Sequence, residues 1–332
     1  MRYLGSKAST IDPLFSLVTS RVERGTFCDP FGGIAVVGSF FKLKGFTVWT
    51  GDIVTFAHLF QIAKVEAGGP PAFRKLFKHF RTVSVDRVVC ALNGLAPKDG
   101  WFVTEYAIKR RFFTLENARR IEACRQLINR WVENGMVTDT EAAILIASLI
   151  NSFDKIANTA GTYYAYLKGW HAKALRPFRF ELIPWTPGNS DCRSFLMEAQ
   201  ELLRGREYDV IYLDPPYNDR CYAGYYHLPE TIAQLATPAV FGKAGVPCRE
   251  KPISAFNYRS KASSALEGLL AVANFRLLVF HYSDKGIIPP HQVRGILNSF
   301  GKIEDHVVFS KGYTTNSSSG RMTEHHLYLL ER

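Results

Sequence analysis

Residues 208–217 read YDVIYLDPPY, and this stretch decides the fold. The apolar run VIYL is rich in β-branched and aromatic residues, which predicts a strand. Pro215 and Pro216 lack the N–H that a central strand needs, so the strand must end at Asp214. In open α/β sheets ligands bind at the carboxyl ends of the strands. We therefore expect Asp214, Pro215 and Tyr217 to present a carboxylate, a carbonyl without a ladder partner and an aromatic plate, a set that suits a planar, amine-bearing base.

A second region predicts a nucleotide-type binding turn near the start of the chain. Residues 27–41 read FCDPFGGIAVVGSFF, which is typical of a strand, a tight glycine turn and a helix. Glycine lets the backbone approach a ligand, and the helix that follows offers free N–H groups. Residues 46–53, FTVWTGDI, predict a second strand ending in Asp52. This acid lies about 20 residues beyond the turn, where α/β nucleotide-binding folds place a ribose-binding acid.

The order of these motifs resembles that of the alpha-class, Dam-like DNA adenine-N6 methyltransferases, in particular the branch paired with type IIS restriction enzymes. The matching stretches are RYLGSK (2–7), DPFGG (29–33), GD (51–52), NTAGTYYAYLK (158–168), GNSD (188–191) and DPPYNDRCYAGYYHLPETIA (214–233). The resemblance spans residues 2 to 330.

The resemblance implies an α/β fold: a Rossmann-like class I methyltransferase sheet with a terminal β-hairpin, plus a mostly helical target-recognition insertion. It places the catalytic domain in residues 1–70 and 181–332 and the DNA target-recognition region in residues 71–180. It implies S-adenosyl-L-methionine as cofactor, no metal, double-stranded DNA as substrate and a separately encoded restriction endonuclease as possible partner. A monomer in the cytoplasm of a bacterial or phage-infected cell is expected.

The resemblance also assigns roles to individual residues. The expected catalytic residues are Asp214, Pro215, Pro216 and Tyr217. The expected cofactor-binding residues are Tyr3, Gly5, Lys7, Asp29, Pro30, Phe31, Gly33, Asp52, Ile53, Asn189, Asp191 and Asp214. The expected nucleic-acid-binding residues are Arg110, Arg111, Lys155, Tyr163, Tyr164, Lys168, Asn218, Arg220 and Tyr222.

Two departures from the family pattern concern the cofactor site. The family often has a second glycine where this chain has Ala35, and a left-handed backbone at alanine would be strained. The family commonly has Phe after the acid that this chain offers as Asp191, but Cys192 follows it here. The stacking ring would then be absent or come from Phe195.

Composition agrees with these expectations. The chain has 332 residues, a formal net charge of +11 and 47% hydrophobic residues, an ordinary globular balance with a basic excess that favours a polyanionic partner. No apolar run reaches the length of a membrane span. The six cysteines show neither Cys-x-x-Cys pairs nor zinc spacing, which is typical of reduced cytoplasmic thiols.

Periodicity predicts the other elements. Helices are expected over 10–24, 103–135 and 138–158, a strand or loop over 81–89, a break at GGPP (68–71), a strand over 275–284, and a terminal hairpin formed by 306–313 and 324–332 with a mobile tip. Thr138 and Glu141 have the spacing of a capping box. The pair His325 and His326 in the last strand is interpreted as structural.

Three alternatives stay open on the sequence alone. The chain could methylate cytosine or RNA, it could be a catalytically silent DNA-binding relative, or it could be a dehydrogenase-type dinucleotide enzyme. The last lacks a full Gly-x-Gly-x-x-Gly and leaves the Asp-Pro-Pro-Tyr motif unexplained.

Overall fold

The computed structural model describes residues 1, 3, 5, 7–248, 251–311 and 322–332. The described chain divides into two units. The helical unit consists of Met1–Tyr3, Gly69–Trp185 and Ala223–Lys251, and the sheet unit consists of Leu4–Gly68, Thr186–Tyr222 and Pro252–Arg332. The boundary between the units at Gly68 and Gly69 falls within the break predicted at GGPP (68–71). The structure also groups residues 1–3 and 223–251 with the helices, whereas the sequence assigned them to the catalytic domain.

The elements have the following bounds. The strands are β1 (Thr26–Asp29), β2 (Thr47–Asp52), β3 (Arg193–Leu196), β4 (Glu207–Leu213), β5 (Val240–Phe241), β6 (Val246–Pro247), β7 (Asn274–Ser283), β8 (Ile303–Lys311) and β9 (Met322–Glu331). The α-helices are α1 (Ile11–Thr19), α2 (Val36–Leu43), α3 (Thr55–Gln61), α4 (Arg74–Phe80), α5 (Val85–Asn93), α6 (Trp101–Val103), α7 (Leu115–Glu133), α8 (Asp139–Asp154), α9 (Ala199–Leu203), α10 (Tyr222–Tyr225), α11 (His227–Ala233), α12 (Ala262–Val272) and α13 (Pro290–Asn298). Short π-helical turns (Ile62–Glu66, Thr104–Ile108) and 3₁₀ turns (Ala172–Leu175, Ala255–Asn257) complete them.

The sheet unit contains a seven-stranded sheet in the order β3-β2-β1-β4-β7-β9-β8. Its first five strands are parallel, and β9 runs antiparallel to both β7 and β8. The carboxyl ends of β3, β2, β1 and β4 therefore meet at one edge, which we call the carboxyl edge. The predicted Rossmann-like sheet and its terminal hairpin are confirmed; the predicted hairpin tip at residues 312–321 lies outside the described residues.

The side chains of β4 point alternately into two hydrophobic cores, one on each face of the sheet. Ile211 and Leu213 belong to one hydrophobic core, together with residues of α9, α12 and α13. Val210 and Tyr212 belong to the other core, together with residues of α1 and α2. Successive strand side chains point to opposite faces, and a strand buried on both faces reads as a continuous apolar run. This is why VIYL shows no polar alternation.

The turn between β1 and α2 has the backbone that the sequence suggested. Gly33 has a φ of +49° and Ala35, the residue before α2, has a φ of +58° and ψ of +42°. The left-handed conformation costs a non-glycine residue about 1–2 kcal/mol. Ala35 therefore has the left-handed backbone that strains an alanine.

In the helical unit, caps decide where helices begin. The predicted capping box is present at the start of α8, since Thr138 accepts from the Glu141 N–H and Glu141 accepts from the Thr138 N–H. The prediction for 81–89 was wrong: Ser84 caps α5, which begins at Val85. The single helix predicted over 103–135 was also wrong, because the chain leaves the helix after Ile108 and Thr114 caps a new one, α7.

None of the helices that the structure describes is both long enough and apolar enough to cross a bilayer.

Candidate active site

Three carboxylates gather at the carboxyl edge of the sheet. Asp29 ends β1, Asp52 ends β2, and Asp214 follows β4. Asp29 is buried, and its Oδ1 has no hydrogen-bond partner among the described residues. Burial, and then the charges of Asp214 and Asp52, raise the pKa of Asp29 well above its ordinary value. A buried carboxylate with an unsatisfied oxygen favours a cationic or hydrogen-bond-donating ligand.

Asp52 links the end of β2 to the glycine turn. Its Oδ2 accepts a hydrogen bond from the Gly33 N–H at 3.1 Å, and its Oδ1 accepts one from the Val54 N–H at 2.9 Å. The glycine at 33 thus brings its backbone directly to the acid.

Lys7 neutralises part of this acidic cluster. Its Nζ lies 2.6 Å from Asp214 Oδ2 and also donates to the Gly5 carbonyl at 3.1 Å. Lys7 is only 3% exposed. Burial raises the pKa of Asp214, and the Lys7 charge opposes that shift. One buried ammonium against three carboxylates leaves the cluster short of positive charge.

The chain after Asp214 is anchored at several points. The Tyr217 carbonyl accepts from the Ile287 N–H at 3.0 Å. The Asn257 side-chain amide donates to the Asn218 carbonyl at 2.8 Å and to the Arg220 carbonyl at 3.0 Å. Asn257 is buried. Sequence reasoning missed Asn257; its signal is weak, because a lone Asn in a loop rarely indicates which carbonyls it holds.

A buried histidine, His325, lies beside the Tyr217 ring and packs in turn on a second buried histidine, His281. The His325 ring is 5.6 Å from the Tyr217 ring and 5.1 Å from the His281 ring, and the Lys7 Nζ is 5.6 Å from the Tyr217 ring centre. Burial and the Lys7 charge lower the pKa of both imidazoles, that of His325 to about 4. The histidines are therefore neutral at physiological pH.

The remaining predicted cofactor residues are divided between the units. Pro30 and Gly33 are buried in the turn, and Phe31 and Ile53 are half-buried beside it. The Phe31 ring packs edge-on against Phe256 at 5.5 Å. Tyr3 belongs to the helical unit, where its ring stacks on Tyr226 at 5.3 Å.

The structure corrects the position of GNSD. Asn189 donates to the Thr47 hydroxyl at 2.6 Å and accepts from the Asp191 N–H, and Thr47 is the first residue of β2. Asn189 and Asp191 therefore lie at the amino edge, about 17 Å along β2 from Asp52. The acid at the carboxyl end of β3 is Glu198, next to Met197, whose N–H donates to the Asp52 carbonyl at 3.1 Å.

Glu198 was missed because the acidic motif that contacts the cofactor adenine was assigned to GNSD (188–191). The signal that could have found it is the short run RSFL followed by the helix-forming MEAQELL. Phe195, proposed as a substitute stacking ring, instead packs against Trp49 at 5.3 Å and the Arg206 guanidinium.

Two of the predicted nucleic-acid contacts are corrected, because their side chains are buried within the helical unit. Arg110 pairs with Glu105 at 2.6 Å and donates to the Gly242 carbonyl. Tyr163 is fully buried and its hydroxyl donates to Asp154 at 2.9 Å. Both residues hold the unit together.

The other predicted contacts in the helical unit reach the surface. Arg111 is exposed, lies 4.9 Å from the Trp170 ring and donates to the Lys168 carbonyl. Tyr164 is 63% exposed and stacks on Tyr225. Lys155 is exposed and pairs with Glu181 at 2.6 Å. In the sheet unit Arg220 is exposed, while Asn218 and Tyr222 are half-buried.

The residues at the carboxyl edge fit a cationic nucleoside cofactor. The unsatisfied Asp29 oxygen and the excess of carboxylates suit a sulfonium and an ammonium group. Among the described residues no group of three or more His, Cys, Asp or Glu is arranged to hold a metal ion.

Comparison with known proteins decides the family. The profile of the D12 class N6 adenine-specific DNA methyltransferases matches residues 3–296. The chain belongs to this family. The family that the motifs predicted is thereby confirmed.

Relatives of this D12 class chain include type II methyltransferases and a modification methylase. It is 29% identical to the type II methyltransferase M.FokI of Planomicrobium okeanokoites (99% of this chain, 52% of that protein). It is 31% identical to the modification methylase LlaI of Lactococcus lactis subsp. lactis (96% and 52%). It is 27% identical to the type II methyltransferase M.NlaIII of Neisseria lactamica (100% and 99%). The chain thus spans about half the length of the first two proteins and nearly all of the third.

Proposed function

We propose that this chain transfers a methyl group from S-adenosyl-L-methionine to the N6 amine of an adenine flipped out of double-stranded DNA, in a site-specific manner. The observation that carries the proposal is the Asp214 carboxylate at the carboxyl edge, beside the acidic cluster, in a member of the D12 family. The names of the relatives favour a role in a restriction–modification system. The proposed partner is a separately encoded restriction endonuclease.

The acidic cluster is assigned to the cofactor. S-adenosyl-L-methionine, when bound, supplies a methyl group on a positively charged sulfur. Asp29 offers its unsatisfied oxygen to the positive part of the cofactor, and Asp52 offers a carboxylate to the ribose. The glycine turn brings its backbone close to the cofactor, and Glu198 takes the role that was expected of Asp191.

The Asp-Pro-Pro-Tyr segment is assigned to the target base. The lone pair of an exocyclic adenine amine is conjugated with the ring, so the amine is a poor nucleophile. The Asp214 carboxylate and the Pro215 carbonyl each accept a hydrogen bond from the amine, which favours a more tetrahedral nitrogen, while Pro216 fixes the path and Tyr217 stacks on the base. The base must leave the duplex first, since it cannot be reached inside the stack. Positioning supplies much of the rate.

Lys7 has a role in this scheme that follows from its ion pair. With Asp214 Oδ2 engaged by the Lys7 ammonium, the amine must either use the other oxygen or displace Lys7. Because His281 and His325 are neutral, Lys7 is the cation of this pocket among the described residues.

The DNA contacts that remain proposed are surface residues. In the helical unit they are Arg111, Lys155, Tyr164 and Lys168, and in the sheet unit they are Asn218, Arg220 and Tyr222. Arginine and lysine contacts to phosphate position a protein, whereas contacts to base edges give sequence specificity. A monomer suffices to methylate one strand of an asymmetric site.

The test is mass spectrometry of nucleosides from unmethylated duplex DNA incubated with the protein and S-adenosyl-L-methionine. N6-methyladenine is the expected product, and sequencing the modified DNA then gives the site. Methylated cytosine would overturn the base assignment, methylation of RNA alone would overturn the substrate, and cofactor binding without methylation of any nucleic acid would indicate a silent relative.

A further inference from the structure

An exposed basic surface lies on a part of the helical unit to which no role has been given. Residues 74–87 contain five Lys or Arg residues, namely Arg74, Lys75, Lys78, Arg81 and Arg87, against a single acid, Asp86. All five side chains are exposed. We call these five residues the α4 basic surface.

The fold of α4 explains why these charges face outward. Phe73 and Leu76 are buried, and Phe77 and Phe80 are half-buried, so the helix packs by its apolar side. Arg74 and Lys78 are one turn apart and therefore lie on the same side of the helix. Lys75 is held by a hydrogen bond to the Gly135 carbonyl at 2.7 Å. The basic side chains of α4 are therefore held on the exposed side of a helix whose apolar side is packed.

The charges of the α4 basic surface are uncompensated, unlike others in the same unit. Arg119 pairs with Asp99 at 2.7 Å, and Arg120 lies 3.7 Å from Glu116. By contrast, no ion pair within the described residues involves Arg74, Lys78, Arg81 or Arg87. In a chain of net charge +11, this concentration of unpaired cations attracts a polyanion.

The backbone at Arg81 gives a second and independent indication. Arg81 ends α4 with a φ of +50° and ψ of +53°, the left-handed region that helix ends usually give to glycine. Glycine would be less strained at this position. Strained backbone conformations cluster at functional sites.

We propose that the α4 basic surface binds the phosphate backbone of the double-stranded DNA substrate. This inference rests on the proposed function, since it assumes that duplex DNA is the substrate. Phosphate contacts of this kind add affinity and orientation without reading sequence.

The test compares two double variants that remove equal charge. Binding of a fluorescein-labelled mixed-sequence duplex is measured by anisotropy over a range of salt concentrations. Arg74→Gln with Lys78→Gln should weaken binding roughly tenfold at low salt and lower the salt slope by nearly two, about 0.9 for each lost phosphate contact. Arg119→Gln with Arg120→Gln, which removes paired charges, should leave the slope nearly unchanged.

Arg81→Gly separates binding from folding in a single variant. Its melting temperature should rise, because glycine relieves the left-handed strain, while its DNA affinity falls. A wild-type affinity in both Arg81→Gly and the α4 double variant, with the wild-type protein active on DNA, would overturn the inference alone. A wild-type protein that modifies only RNA, or nothing, would overturn the proposed function instead.

Discussion

At the scale of single residues, Asp214 has the central proposed role, because its carboxylate accepts a hydrogen bond from the adenine amine. Asp214→Asn keeps the shape and one acceptor oxygen but removes the charge that pairs with Lys7 at 2.6 Å. We expect methyl transfer to fall by about 10²–10³-fold, the usual loss on removing one preorganised electrostatic contact. Cofactor binding should be retained at least partly, because Asp29 and Asp52, the other two carboxyl groups of the cluster, are unchanged.

Single-turnover methylation and cofactor titration measure the two effects separately for Asp214→Asn. Circular dichroism checks the fold, because breaking a buried ion pair also destabilises a protein. Unchanged turnover in a folded variant would contradict the catalytic assignment.

A second residue-scale prediction concerns which acid serves the third strand. Glu198 lies at the carboxyl end of β3, whereas Asp191 lies at the amino edge near Thr47. Glu198→Gln should weaken binding of S-adenosyl-L-methionine about 10–100-fold, the range for losing a hydrogen bond to a charged group. Asp191→Asn should leave the affinity within a factor of about two.

Isothermal titration calorimetry with S-adenosyl-L-methionine measures both variants under the same conditions. If Asp191→Asn binds the cofactor more weakly than Glu198→Gln, Asp191 is the cofactor-binding acid, as expected from the sequence, and the assignment of Glu198 is wrong.

At the scale of elements, the sequence predicted the ends of strands better than the ends of helices. Two prolines after Leu213 can only end β4, so the position of Asp214 followed from chemistry that neighbours cannot change. The acid of β3 did not follow, because a four-residue strand such as RSFL leaves its starting point ambiguous by several residues. The break after Ile108 was hidden for another reason: the residues between Ile108 and Thr114 continue an apolar and basic pattern that suits a helix equally well.

Burial of polar side chains was the other limit of prediction. Tyr163 and Tyr164 are adjacent and chemically identical, yet one is fully buried and the other is 63% exposed. Tyr163 donates to Asp154 and Tyr164 stacks on Tyr225, so which of them faces solvent depends on packing that the local pattern does not show. The sequence therefore predicted a tyrosine-rich surface but not which tyrosine forms it.

The 3₁₀ turn Ala255–Asn257 supports an element-scale prediction. Asn257→Asp keeps the side-chain shape but places carboxylate oxygens against the carbonyls of Asn218 and Arg220, which now receive hydrogen bonds. The loop after Tyr217 should loosen, and kcat for methylation should fall about tenfold or more, since each lost hydrogen bond costs about 1 kcal/mol. Cofactor affinity should stay close to that of the wild type.

The matched control for Asn257→Asp is Asn189→Asp, which removes one amide hydrogen bond to Thr47 at the amino edge. Steady-state kinetics on duplex DNA compares the two. Equal losses in kcat would show that the Asn257 amide has no special relation to the base-binding loop.

At the scale of the whole molecule, the buried histidines of β7 and β9 couple stability to pH. Burial, the Lys7 charge and the neighbouring His326 lower the pKa of His325 from 6.5 to about 4, while Asp284 opposes the shift. Between pH 6.5 and about pH 4 the imidazole is protonated in the unfolded chain but not in the folded protein. The free energy of unfolding therefore falls as the pH falls. The loss for His325 amounts to about 3 kcal/mol at most.

Urea unfolding followed by circular dichroism, from neutral pH down to about pH 4, measures this dependence. His325→Phe removes the titrating group and also an imidazole nitrogen that has no hydrogen-bond partner among the described residues. The variant should therefore unfold at similar urea concentration near neutral pH and show a flatter acid limb. His306→Asn, a change at a more exposed site on β8, is the control and should keep the wild-type acid limb. If the His325→Phe protein is as acid-sensitive as the wild type, His325 is not the titrating group. His281 would then be replaced next, because burial and the Lys7 charge lower its pKa as well.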